Sequence, residues 1–328
     1  MKKLQTFLFL ALAATSFVAC SSDDEDAQQQ PSQPKYPLTI SVTETPYVNP
    51  DDADASRGTR GVIRTTESTS FTAFKMNYIY NSTSSGTAIE GSRNGKTWST
   101  TSGSWPSIAA ENDFPVDWYA YTDGTFNPNS SNPYIRFIVE ETVANQKDLL
   151  VATASDKKWR ECDGTLSFKF DHACAALRFY MKKAKNLSDY TLTVSEVKLC
   201  NVVKSGDYNF NGSWSRNETE ISSYTLFAGS MQFNQGTTTE FTALESDNSK
   251  AYLFLIPQTL TAWNGTGSPA NTYLELTCVL KDGENEVHNG KAYIPFGYTI
   301  EKGVQYDVKV NVGKTSLLDS NGNRIIKQ

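Results

Sequence analysis

Val304–Gln305–Tyr306–Asp307–Val308–Lys309–Val310–Asn311–Val312 places an apolar side chain at every second position, with polar residues between several of them. A period of two is that of a strand with one face against a core. The same alternation runs through Leu38, Ile40 and Val42, through Phe74, Met76, Tyr78 and Tyr80, and through Leu274, Leu276, Cys278 and Leu280. Further strands are expected at 116–121, 134–139, 149–152, 224–227, 251–257 and 291–300, with turn clusters such as Asn127–Pro128–Asn129 between them. No segment holds a helical period, and 182–187 adds at most a turn. Aromatic residues at 12% and abundant Thr, Ser and Val agree with β structure. Many short strands with turn punctuation indicate an all-β chain of two consecutive β-sandwich domains.

Two parity switches interrupt the alternation. Leu166, Phe168 and Phe170 face one way, whereas Ala175, Leu177 and Phe179 occupy the opposite parity, so a bulge is expected near 171–173. Leu192 and Val194 are likewise out of step with Val197 and Leu199. The Ser/Gly-rich stretch 81–103 is expected to be loop, with a hairpin at Asn94–Gly95. A polar region follows Lys204, so the domains are expected at 37–204 and 205–328. In the first, 38–48 is the opening strand and 49–65 a loop through Ser56–Arg57–Gly58–Thr59–Arg60–Gly61.

Ahead of that strand, Lys2 and Lys3 precede an apolar run and a small-residue approach to Cys20, the pattern of an export signal over 1–19. Phe17–Val18–Ala19–Cys20 resembles the lipobox of bacterial lipoproteins, which makes Cys20 the acylated first residue of the mature chain. Each buried methylene of an acyl chain contributes about 0.8 kcal/mol, so several chains anchor lastingly. Residues 20–36, acidic and then rich in Gln, Pro and Ser, form a flexible tether. An acidic run after the lipidated cysteine resembles the surface-export signal of Bacteroides-type lipoproteins. Without Lys2 and Lys3 the 30 basic residues fall to 28 against 36 acidic, a net charge of −8. A chain so acidic lacks the positive stripe that phosphate backbones require, so nucleic acid is not an expected partner.

Little in the chain suggests chemistry. Its two histidines are His172 and His288, with neither an H-E-x-x-H helix nor a G-x-S-x-G elbow. His172, at the expected bulge, is read as a hydrogen-bonded structural histidine. Gly95–Lys96–Thr97 and Gly313–Lys314–Thr315 end like P-loops but lack the earlier glycine, and Asp319–Ser320–Asn321–Gly322–Asn323 reads as a hairpin turn rather than a calcium loop. Cys162, Cys174, Cys200 and Cys278 show no metal spacing. Export permits disulfides, whereas the parity of Cys278 favours free, buried thiols. No catalytic residue, metal or cofactor is expected. Trp98, Trp105, Trp118, Trp159, Trp214 and Trp263 could stack on sugars, which keeps open a monomeric surface lipoprotein that binds glycans or host ligands; aromatic residues in sandwiches more often serve the core.

The order of several blocks resembles the fimbrillins, the type V pilins of Bacteroides-like anaerobes. These blocks are Cys20 with its acidic run, Thr59–Arg60, Val116–Asp117–Trp118–Tyr119–Ala120–Tyr121, Gln146–Lys147–Asp148–Leu149–Leu150–Val151–Ala152, Leu166–Ser167–Phe168–Lys169–Phe170–Asp171–His172–Ala173 and Phe254–Leu255–Ile256–Pro257–Gln258–Thr259. The resemblance implies two transthyretin-like β-sandwich domains and passage to the outer membrane as a lipoprotein. It further implies an arginine-specific cut that releases the first strand, whose groove a neighbouring subunit's strand then fills. Carried onto this sequence, the leaving strand holds Leu38, Ile40 and Val42, and the cut follows Arg60, Arg57 or Arg64. The donor would be the C-terminal segment with Leu317, Leu318, Ile325 and Ile326. Implied partners are other fimbrial subunits, outer-membrane lipid through Cys20, and a host or bacterial surface ligand.

Overall fold

The computed structural model describes residues 35–49, 71–101, 103–129, 132–236, 240–245 and 252–326. The alternation at 304–312 becomes strand Gln305–Val312, which lies parallel to Ala175–Lys183 over eight residue pairs. Ala175–Lys183 also pairs with Leu253–Leu255 and Thr242–Ala243. A four-stranded sheet in the order Ile221–Phe233, Tyr190–Val203, Tyr273–Asp282, Asn285–Pro295 contributes to the same core. Leu177, Phe179, Leu192, Val197, Leu276 and Val308 are buried there together. The described chain is therefore nearly all β and organised as packed sheets, as the periodicity indicated.

A second core belongs to the first half. Its sheet runs Thr39–Glu44, Thr165–His172, Leu150–Lys157, Val116–Tyr121, Ala73–Tyr80, Ile89–Asn94, Thr97–Thr100. This sheet curls until its two edges approach. After Thr97–Thr100 the chain returns through 103–105 to meet 36–38, with Leu38 N donating to Gly103 O at 3.0 Å and Trp105 N to Tyr36 O at 2.9 Å. Phe71, Phe74, Trp118, Leu166, Phe168 and Phe170 fill the interior, and helix Ser107–Glu111 adds Ala109 and Ala110.

Several expectations are corrected. The stretch 81–103 is not mainly loop. Ile89–Asn94 and Thr97–Thr100 form a hairpin whose turn begins at Gly95, φ +62°, as Asn94–Gly95 suggested. Its polar residues face outward, and Gly91 lies where a Cβ would strike the Phe74 ring. The parity switch near 171–173 is not a bulge within one strand. Strand Thr165–His172 ends there and Ala175–Lys183 begins in another sheet, because the chain passes from one core to the other: Phe170 belongs to the first and Ala173 to the second. The switch near 195 is a true irregularity, with register shifting between Val194 and Glu196 against both neighbouring strands. The polar region after Lys204 also forms strands.

The expected division between 204 and 205 is crossed by pairing in both directions. Ser205–Asn209 pairs with Tyr134–Ile138, whereas Tyr190–Val203 pairs with Ile221–Phe233 and Tyr273–Asp282.

None of the six tryptophans is exposed. Trp105, Trp118 and Trp263 are fully buried, and Trp98 packs on Phe71 and Phe74 at 5.1 and 5.4 Å. Trp214 and Trp159 donate to the Ala173 and Pro37 carbonyls at 2.9 and 3.2 Å. The four cysteines among the described residues are unpaired, three of them buried, and burial pushes the Cys278 thiol up to about 12.

Candidate functional site

The seat of the segment 36–48 joins the two cores. Its strand, Thr39–Glu44, lies at the sheet edge parallel to Thr165–His172, in register from Thr39 opposite Thr165 to Glu44 opposite Phe170. The alternation fixes which face turns inward. Leu38 and Ile40 are buried in the first core and Val42 packs against it half-buried, whereas Thr39 and Ser41 face outward. There they form hydroxyl pairs with Thr165 and Ser167 at 2.6 and 2.9 Å. Full burial of such an aliphatic side chain is worth about 1.5–3 kcal/mol. The close approach requires glycine at 164: φ is +69°, and a Cβ there would collide with the Pro37 carbonyl oxygen.

Beyond Thr45, whose N donates to Phe170 O at 2.8 Å, the segment crosses to the second core. Val48 N donates to Gly303 O at 2.9 Å, and Gln305 N donates to Val48 O at 2.8 Å. Between these anchors Tyr47 is buried in the second core. Its hydroxyl donates to Asp148 Oδ1 at 2.9 Å, while Asp148 Oδ2 lies 2.6 Å from His172 Nδ1. The Tyr47 and His172 rings stack, with centroids 3.8 Å apart and planes at 24°. Asp148 and His172 are 1% and 3% exposed, so a buried carboxylate depends on two side chains for its hydrogen bonds among the described residues. Burial, reinforced by Asp148, pushes the Tyr47 phenol well above its ordinary value and does the same to the Cys174 thiol. The array is enclosed, and its neighbouring thiol is held protonated.

His172 was legible in the sequence as a structural histidine. Its partners were not, because Tyr47 is 101 residues from Asp148 and Asp148 is 24 from His172. The one available signal was a lone carboxylate directly before the apolar run 149–152. Cys20, Arg57, Arg60 and Arg64 lie outside the described residues.

The C-terminal residues are brought together elsewhere. Leu317, Leu318 and Ile326 are buried and Ile325 is half-buried. Leu318 exchanges backbone hydrogen bonds with Tyr293 at 2.8 and 3.0 Å, and Ile325 N donates to Leu317 O at 3.1 Å. The turn between them is the expected hairpin. Asp319 accepts from the backbone N–H groups of Asn321 and Asn323 at 2.8 and 2.9 Å, and hydrogen bonds led by the Asn323 side chain lower its pKa. No group of three or more His, Cys, Asp or Glu residues able to hold a metal occurs among the described residues.

Comparison with solved structures finds a fimbrial protein from Bacteroides vulgatus, 15% identical, covering 84% of this chain and 95% of that one at a TM-score of 0.50. Candidate cell adhesion proteins from Bacteroides ovatus and Bacteroides eggerthii follow at TM-scores of 0.46, with 16% and 13% identity. They cover 86% and 89% of this chain, and 94% and 91% of their own. At 15% identity the likeness to the Bacteroides vulgatus protein is one of fold. Comparison with curated proteins gives no match. The family model described as fimbrillin-like matches residues 59–325, most of the chain, and the protein therefore belongs to the fimbrillin-like family.

Proposed function

We propose that the protein is a fimbrial subunit that reaches the cell surface as an outer-membrane lipoprotein acylated at Cys20. A cut after Arg60, Arg57 or Arg64 frees the segment carrying Leu38, Ile40 and Val42, and a strand from another subunit takes the vacated seat. The observation that carries this is the way 36–48 is attached. It forms a sheet edge, touches both cores, and connects onward only through 49–70, the stretch holding all three arginines. Its departure would strip Thr165–His172 of a ladder of main-chain hydrogen bonds and uncover an aliphatic face. An extended strand of another chain supplies both, with backbone groups giving affinity and alternate side chains giving specificity. Such head-to-tail exchange is heterologous and gives open-ended assembly.

The partners are then other fimbrial subunits, membrane lipid before processing, and a surface ligand at the fibre's point of contact. The segment touches both cores, with Leu38 and Ile40 in the first and Tyr47 in the second. Leu317, Leu318, Ile325 and Ile326 act as donor only after leaving their own core. Treatment with an arginine-specific protease, followed by N-terminal sequencing and sizing, tests the proposal. Release of 36–48 with conversion of monomer to a ladder of multimers is expected. A chain that is cut but retains the segment and stays monomeric in every mixture of fimbrial subunits would sink it.

A further inference from the structure

Tyr47 carries a polar group of the detachable segment into a buried polar site. Its hydroxyl completes the Asp148 carboxylate at 2.9 Å, and its ring covers the His172 imidazole at 3.8 Å. When 36–48 leaves, both contacts leave with it, and the carboxylate loses a hydrogen bond. A buried carboxylate without its donor is costly, and the cost falls on whichever strand occupies the seat next.

We propose that the site vacated by Tyr47 is a specificity socket that selects, on the incoming strand, a tyrosine seven residues after a buried aliphatic. The spacing is that of Tyr47 from Ile40, and the strand runs parallel to Thr165–His172. The proposal rests on the strand release described above. A phenylalanine stacks but brings no donor, and an aliphatic side chain supplies neither contact. A guanidinium can donate, but taking its charge out of water costs more than burying a phenol. Residues 313–328 of this chain contain no tyrosine. A second copy donating that segment would leave Asp148 uncompleted, so the socket favours a strand from a different subunit over homopolymer growth.

The test uses the full chain cut by an arginine-specific protease in the presence of labelled synthetic peptides spanning 36–48. One peptide has the native sequence and the others carry Tyr47→Phe, Tyr47→Leu or Tyr47→Arg. Capture is read by sizing over a peptide titration. The native peptide is expected to bind about tenfold or more tightly than the Phe peptide, as for a hydrogen bond to a charged group, with Leu and Arg weaker still. Equal capture of all four, or tighter capture of the Leu or Arg peptide, overturns the socket while leaving strand exchange intact. Capture of none, with the cut chain keeping its own 36–48, overturns strand exchange and the socket with it. A second measurement uses the chain itself. After cleavage, the Tyr47→Phe variant should lose its segment about tenfold faster than the native chain, and an unchanged rate overturns the proposal.

Discussion

Two apolar segments close the described chain at its ends, and they are held in opposite ways. The N-terminal 36–48 has no turn of its own; its bonds run to 103–105, 164–170 and 303–305 and its side chains enter both cores. The C-terminal 317–326 folds on itself around Asp319 and belongs to the second core alone. Without partners within itself, the first can depart as an extended strand. The second would have to lose a preformed turn as well as its packing. The segment proposed to leave is thus the one whose attachment is entirely long-range.

The comparison breaks most visibly at Asp148. Replacing it with alanine orphans Tyr47 and His172 together and should cost about 3 kcal/mol or more in chemical denaturation, at about 1–3 kcal/mol for each buried polar group left without its partner. Asp319→Ala, in an exposed turn, should cost far less. Next come the aliphatic anchors. Ile40→Ala should lose about 2 kcal/mol or more and make 36–48 the first segment released in limited proteolysis. Leu317→Ala should destabilise comparably, yet leave the segment's release unchanged relative to global unfolding. Glycine replacements give a matched pair. Gly164→Ala and Gly322→Ala each force a left-handed residue into close contact, φ +69° and +84°, at about 1–3 kcal/mol. Hydrogen exchange should locate the loosening at 37–39 in one and at 318–324 in the other.

The smallest effect is in pH, where the two ends respond with opposite sign. The raised Tyr47 phenol stabilises the segment fully below its ordinary value of 10.0, and that contribution falls away as pH rises towards the folded value. The lowered Asp319 carboxyl stabilises its turn above 3.8, and that contribution falls away as pH drops through the folded value. Proteolytic release of 36–48 should therefore accelerate in alkali and lose that dependence in Tyr47→Phe. The C-terminal amides should lose protection in acid instead.

What the sequence disclosed follows from what a strand writes into it. Alternation reports which face of one strand is buried, and so Leu38 to Val42 and Val304 to Val312 were legible. It does not report the neighbour. Ser205–Asn209 pairs with Tyr134–Ile138 some 70 positions away, and nothing in either segment's composition names that partner. The parity switch after Phe170 was visible, but a bulge and a change of core produce the same pattern along the chain. The Tyr47, Asp148 and His172 array left only an unpaired carboxylate and a lone histidine as traces, since each of its members comes from a different part of the chain.

The parallel register of the first strand also sets an order of events in time. Thr39 finds Thr165 only after 126 further residues exist, and Val48 must wait longer still for Val304. Closing loops of that length is entropically expensive, so these contacts form after the local hairpins. The occupant is made first and seated last. A chain that folds in this order passes through a state with an open edge strand, during which it is exposed to mispairing and in need of protection until 36–48 is seated.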